Sequence, residues 1–398
     1  LREADGRHRV TSTRDQRGVV AYALYATILI EGLILASIGP MLDTLGNQSG
    51  SSVDEISILF TASAVGYITG SLAAGRAFAR LRGNVVLTGA LVALAAQAAL
   101  VPGAASLALL TLLFCGMGLA VGLIDVGCNT LLVWLYRREV APHMNFLHLS
   151  FGIGAVLSPL LIDRVDVVAG DAAKTYWLFA ALMVPVAIWM LFTTSPRQPQ
   201  HQDSPQRGRV VRRHAVFLGI IGLFFFMHVG AQASIGGWIF NFAEEQGRPE
   251  TTARLLNSVF WGGLVLGRLM AIPLSKRIRP LTMLTVDLAG AAISLLLIGL
   301  FPDSSAALWL GSAGFGASIA SVFATSINFA ERRIPITSHV TAVFLVGGSA
   351  GSMTMPWIIG QYFETSGPAT MLWVAGGAVA AAAVLLVAMS NRAPARLQ

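Results

Sequence analysis

Residues 116–134 read GMGLAVGLIDVGCNTLLVW, an apolar stretch with a carboxylate, Asp125, near its middle. Nineteen residues of this composition suffice for a helix that crosses a bilayer. A charge at membrane depth costs about 2.5–3.5 kcal/mol on insertion scales, so it is expected to face a protein-lined aqueous cavity and to serve function. Asn129 lies four residues on. That spacing puts both groups on one helix face, an anionic acceptor beside an amide that donates and accepts, which suits a polar ligand.

The rest of the chain repeats the apolar character of this stretch. Of 398 residues 55% are hydrophobic and 12% charged, about half the charged fraction of a soluble protein, and mean hydropathy is +0.69. Twelve apolar runs are read as helical spans: 18–41, 55–78, 83–102, 106–135, 142–163, 175–194, 214–242, 254–275, 281–301, 305–330, 337–362 and 369–390. Their length selects helices over the ten-residue alternating strands of a β-barrel. The fold class expected is an all-α membrane protein of twelve transmembrane helices. Cys115 and Cys128 sit on one predicted helix, too far apart to bridge.

The net charge of +7 has a topological reading. Basic residues concentrate in alternate loops, at Arg76, Arg80 and Arg82, at Arg137 and Arg138, at Arg207 to Arg213, at Lys276 to Arg279, and at Arg332 and Arg333. The opposite side holds only Arg164, Lys174, Arg248 and Arg254. This asymmetry predicts a multi-pass plasma-membrane protein with both termini cytoplasmic and a bilayer, not nucleic acid, as its basic partner.

An internal repeat divides the chain. Ala36-Ser37-Ile38-Gly39 recurs as Ala233-Ser234-Ile235-Gly236, Gly66 and Gly70 as Gly263 and Gly267, Leu87-Thr88 as Leu284-Thr285, and Gly154 and Pro159 as Gly351 and Pro356, all at an offset of 197. Six spans per copy is even, so the copies are parallel repeats. The organisation expected is a cytoplasmic tail over 1–17, a six-helix bundle over 18–194, a polar cytoplasmic linker over 195–213, a second bundle over 214–390 and a tail over 391–398.

Polar residues inside spans are the candidate site. The offset maps Glu31 of span 1 onto His228 of span 7, on opposite walls of a central cavity. Glu31 and Asp125 are read as ion-coupling acids. His228 is read either as a substrate ligand and proton relay or as a packing histidine, with Gln232 one turn away and His148 of span 5 a further titrating candidate. Trp238 is the stacking candidate among the tryptophans, against the ordinary role of an interface anchor. Arg268 and Asp287, at similar depth on adjacent spans, are expected to form a structural ion pair.

With these residues in place, the chain resembles the major facilitator superfamily, and within it the fucose permease and sodium-dependent glucose transporter group. Gly118 to Trp134 looks like their span-4 motif of an acid followed four residues later by Asn. His148 to Pro159 is similar to the span-5 segment of the glucose transporters, Val229-Gly230-Ala231-Gln232 to the span-7 motif of fucose permeases, and Gly267-Arg268 to their span-8 pair. The permeases carry an aspartate four residues before the span-1 proline, where this chain has Ala36 before Pro40 and an acid only at Glu31. The resemblance implies two parallel six-helix bundles and cation-coupled monosaccharide uptake, with Asp125, Asn129 and Gln232 near substrate. It also implies a coupling ion that is a proton in one group and sodium in the other. No further cofactor and no metal is expected, and a monomer is the expected state. Two alternatives stand beside uptake: a proton-driven exporter of the same fold, against which Gly152-Ile153-Gly154 lacks a glycine pair after Pro159, and a sugar sensor that does not transport. An enzyme is not expected, because no phosphate-cradling loop, metal-ligand cluster or nucleophile motif occurs.

Overall fold

Lipid offers no hydrogen bonds to a backbone, so each crossing segment must satisfy its own amides as a helix. The computed structural model has this form. It describes residues 2–196, 214–334 and 338–391, the side chains of 2–16, 138, 141, 338–339 and 341–342 excepted. The expected linker over 195–213 and tail over 391–398 fall almost wholly outside these residues. Twelve helices are long and apolar enough to cross a membrane: Arg17–Ser37, Val53–Arg80, Gly83–Gly103, Leu107–Tyr136, Pro142–Ala169, Ala172–Leu191, Ala215–Glu245, Glu250–Leu274, Pro280–Leu300, Ser305–Glu331, Val343–Ser366 and Ala369–Asn391. They are numbered spans 1 to 12 below. No strand occurs among the described residues.

Helix pairing follows the repeat. Span 2 packs on span 4, span 1 on span 5 and span 3 on span 6; span 8 packs on span 10, span 7 on span 11 and span 9 on span 12. The close approaches repeat as well. A Cβ on Gly154 would overlap the carbonyl oxygen of Leu29, and one on Gly351 would overlap that of Phe226. The offset that carries Gly154 to Gly351 also carries Leu29 to Phe226. In lipid, where apolar burial contributes little between helices, such small-residue crossings let backbones meet and gain dispersion contact.

Three of the departures from the expected boundaries have a visible local cause. Span 1 ends at Ser37, and the chain turns through a 3-10 segment, Gly39–Met41, into a short helix, Leu42–Ser49. Pro40 sits at the start of that turn, where its missing N–H costs nothing. Spans 5 and 8 run further than expected at the face opposite the basic loops, because Arg254 reaches Asp163 at 3.5 Å and Asp166 at 2.9 Å and also pairs with Glu250. Span 10 is two helices, Ser305–Ile319 and Val322–Glu331, broken at Ala320 and Ser321. Irregular backbone at membrane depth is tolerated where it is covered by protein or lines a cavity, and Ala320 and Ser321 do line one.

Spans 2 and 11, and spans 5 and 8, join the two sets of six. The bonds that link them lie at the face opposite the basic loops. Gln361 Nε2 donates to the Asp54 carbonyl at 2.8 Å, the Val53 amide donates to Glu364 Oε1 at 3.1 Å, and Asn241 Nδ2 donates to Asp43 Oδ2 at 2.9 Å. Arg254, 1% exposed, ties span 8 to span 5 at the same level. This face is sealed, and the cavities described next open the other way.

Candidate functional site

A cavity of about 390 Å³ lies between the two sets of six spans. Its wall includes Glu31, Tyr67 and Asp125 from the first six and Gln232, Trp261 and Arg268 from the second, with His148 of span 5 on the rim. A second cavity of about 430 Å³ runs from His148 and Arg268 to Ser275 and Lys276 at the basic face. His148, Arg268 and Phe323 border both spaces, so the central cavity continues toward the basic face.

Local packing sets the first wall. Gly122 has no side chain, and a Cβ there would overlap the Tyr67 carbonyl oxygen, so spans 2 and 4 cross in backbone contact just where both carry polar groups. As a result the Tyr67 hydroxyl donates to Asp125 Oδ2. Asn129 Nδ2 donates to Asp125 Oδ1 and to the Asp125 carbonyl, both at 2.8 Å. Each carboxylate oxygen of Asp125 thus has a donor of its own, which offsets the cost of holding the charge away from water.

Glu31 has a different setting. It is 3% exposed, it lines the same cavity within electrostatic reach of Asp125, and its Oε2 has no hydrogen-bond partner. A buried carboxylate oxygen without a donor is costly, and the cost is relieved by a cation or a proton delivered through the cavity. Of the two acids, Glu31 is the one with an unfilled demand.

The other sequence-derived positions divide. Gln232 and His148 are on the cavity wall. Asn129 is not, because its amide is spent on Asp125, through which it acts on the cavity. His228 is buried behind the wall, its ring stacked on Phe224 with centroids 6.4 Å apart and its Nδ1 without a partner. Trp238 is fully buried in the sealed face, donating from Nε1 to the Pro356 carbonyl at 3.0 Å and packed between Phe60 and Phe363. It neither anchors at the interface nor stacks in the cavity. That position belongs to Trp261, which lines the cavity edge-on to Phe151 with an unpartnered Nε1.

The expected Arg268–Asp287 ion pair is not formed. Asp287 accepts from the Ser321 hydroxyl at the break in span 10, and Arg268 faces the cavities with no ion pair or hydrogen bond to another described residue. Similar depth on adjacent helices did not bring the two together, because helix rotation turns them to different neighbours. Tyr67 is the cavity residue, bonded to Asp125, that sequence reading passed over. Its signal was a phenol in mid-span between Gly66 and Gly70, glycines that mark a close helix crossing.

Comparison with known proteins agrees with this geometry. The family model of the Major Facilitator Superfamily matches residues 24–356. The chain is 30% identical over 374 residues to sodium-dependent glucose transporter 1A of Mus musculus, covering 85% of this chain and 88% of that protein. It is 29% identical over 373 residues to sodium-dependent glucose transporter 1 of Homo sapiens, covering 85% and 72%. Among solved structures, the nucleoside transporter NupG superposes with a TM-score of 0.75 over 94% of this chain and 99% of that one, at 14% identity, a likeness of fold alone. A bacterial homologue of the human lysosomal transporter Spinster gives 0.70 at 14% identity, over 95% of each chain. Twelve spans in a duplicated arrangement, a cavity between the copies that carries buried polar groups from both, and these matches lead to one conclusion: the chain belongs to the Major Facilitator Superfamily and is a multi-pass membrane transporter, not an enzyme.

Proposed function

We propose that this protein takes up a monosaccharide, a hexose, across the plasma membrane by alternating access, driven by a sodium or proton gradient, with the basic face and both termini in the cytoplasm. The single observation that carries the reading is the unpartnered carboxylate oxygen of Glu31 in a cavity shared by both halves. A neutral polyol needs donors and acceptors set on a mostly apolar wall. Asp125 and Gln232 supply these, and Trp261 supplies an aromatic face for a sugar ring. The coupling cation neutralises Glu31, so that the loaded cavity closes without a bare charge and the empty one does not. Asp125, held by two donors, is a fixed acceptor for substrate hydroxyls. The mouse and human relatives carry the name sodium-dependent glucose transporter, which supports sodium as the coupling cation in this reading.

Uptake of labelled hexose into proteoliposomes tests this, with a sodium gradient at matched pH in one arm and a pH gradient without sodium in the other. Accumulation above equilibrium in one arm, abolished by a cation ionophore, is the expected result. Equal uptake with and without either gradient would overturn coupling, and absence of any hexose flux would overturn the substrate class.

Tyr67→Phe removes one donor from the Asp125 carboxylate and little volume. A hydrogen bond to a charged group is worth about 1.5–3 kcal/mol, and part of that reaches the substrate through a less well-placed acceptor. The half-saturating hexose concentration is expected to rise roughly tenfold, equivalent to about 1.4 kcal/mol, while the accumulation reached at saturating hexose stays near wild type. A half-saturation constant unchanged from wild type would remove Tyr67 from the site.

A further inference from the structure

The cavity on the basic side of Arg268 has a charge pattern that a neutral sugar does not call for. Arg268 and Lys276 both line it, His148 stands at its inner end, and no carboxylate is on its wall. Asp287, whose carboxylate accepts from the hydroxyl of the lining residue Ser321, is not itself on the wall. Arg268 has no ion pair or hydrogen bond to another described residue, although an unpaired charge within a span is as costly for a cation as for an acid. Amides complete the wall. Asn145 is exposed in the cavity, and Asn328 accepts from Arg332 Nε at 3.1 Å through its Oδ1, which leaves its NH₂ to donate. The space, about 430 Å³, holds a small organic ligand.

We infer that this cavity is an anion site that binds a phosphate group, through the guanidinium of Arg268, the ammonium of Lys276 and the amides of Asn145 and Asn328. The guanidinium fork matches two phosphate oxygens at once, whereas the ammonium acts as a point charge on a third. A carboxylate would have to share its two oxygens between the fork and Lys276, whereas a phosphate offers the ammonium a third oxygen of its own. The site adjoins the hexose cavity, with which it shares His148, Arg268 and Phe323. Two sources carry this chemistry: a soluble phosphate ester reaching the cavity from the basic face, and the headgroup of an anionic phospholipid entering between spans 5 and 8.

Binding of ³²P-orthophosphate to the purified full-length protein tests the inference, at constant ionic strength set with chloride. In neutral detergent the wild type is expected to show saturable binding. Lys276→Gln and Arg268→Gln are each expected to weaken it at least tenfold, and Arg268→Lys less than Arg268→Gln because the charge survives and the fork does not. Monodispersity and the thermal midpoint show that each variant is folded, and Lys276→Gln, at the exposed rim, gives the answer even should the Arg268 variants fail to fold. The measurement is repeated in nanodiscs of phosphatidylcholine and of phosphatidylglycerol. Loss of label only in phosphatidylglycerol identifies the headgroup as a competing occupant; equal binding in both identifies a soluble phosphate; either result supports the site. Absence of saturable binding in detergent, or binding that Lys276→Gln leaves unchanged, overturns it.

Discussion

Glu31→Gln is expected to abolish gradient-driven accumulation of hexose while leaving hexose exchange across the membrane intact. The substitution keeps the shape of the side chain and mimics the neutralised form, so the cavity can close with or without a cation. Each cation coupled to transport in a tenfold gradient supplies about 1.4 kcal/mol, enough for roughly tenfold accumulation. The variant therefore falls from that level to equilibration. Counterflow in preloaded proteoliposomes reads the exchange step, and net uptake under the gradient reads the coupling. Asp125→Asn run in parallel separates the two acids. Because Tyr67 and Asn129 already supply donors to both Asp125 oxygens, its neutral variant is expected to lose hexose affinity and to keep a gradient response at saturating hexose. Wild-type accumulation by Glu31→Gln would sink the assignment, and the opposite pattern between the two variants would transfer the coupling role to Asp125.

Arg254→Ala is expected to open the face opposite the basic loops. Arg254 is fully buried there, and removing it leaves Asp163, Asp166 and Glu250 to repel one another across the seam between spans 5 and 8. Deleting one partner of a wholly buried ion pair costs about 3–5 kcal/mol. These carboxylates are 31%, 27% and 47% exposed, so screening lowers the expected cost to about 2 kcal/mol. That shifts the balance between sealed and open forms roughly thirtyfold. The readout is a cysteine at Ser352, which lines the central cavity, in a background where Cys115 and Cys128 are serine. An impermeant thiol reagent added from that face is expected to label the Arg254→Ala protein roughly thirtyfold faster than its parent. Arg254→Lys restores charge and is expected to fall between. Equal labelling of parent and Arg254→Ala would show that other contacts, such as Asn241 to Asp43 and Gln361 to Asp54, hold the seam without the arginine.

In the alternating access proposed above, the sealed face and the path to the basic side are one station of the cycle. The seam at Arg254 and the bonds from span 11 to the start of span 2 are the contacts that must break in the other station. The boundary at His148 and Arg268 is where the path to the basic face must narrow. Phosphate held at Lys276 and Arg268 lies across that narrowing, so the proposed anion site and the transport cycle share one pair of helices, spans 5 and 8.

The twelve spans, the duplication at an offset of 197 and the presence of acids in spans 1 and 4 were all legible in the order of residues. A bilayer makes them so: it forces helices of a fixed length, and it makes each buried charge conspicuous. Asp125 beside Asn129 was legible too, since both lie on one helix and spacing alone sets their contact. What only the tertiary structure decided is which way each helix faces. In lipid the outer and inner faces of a span are both apolar, so no hydrophobic stripe marks the side that meets the cavity. For that reason Tyr67 on Asp125, Trp261 rather than Trp238 on the cavity wall, and Arg268 turned from Asp287 toward open space emerged from packing, while the helices that carry them were already written in the chain.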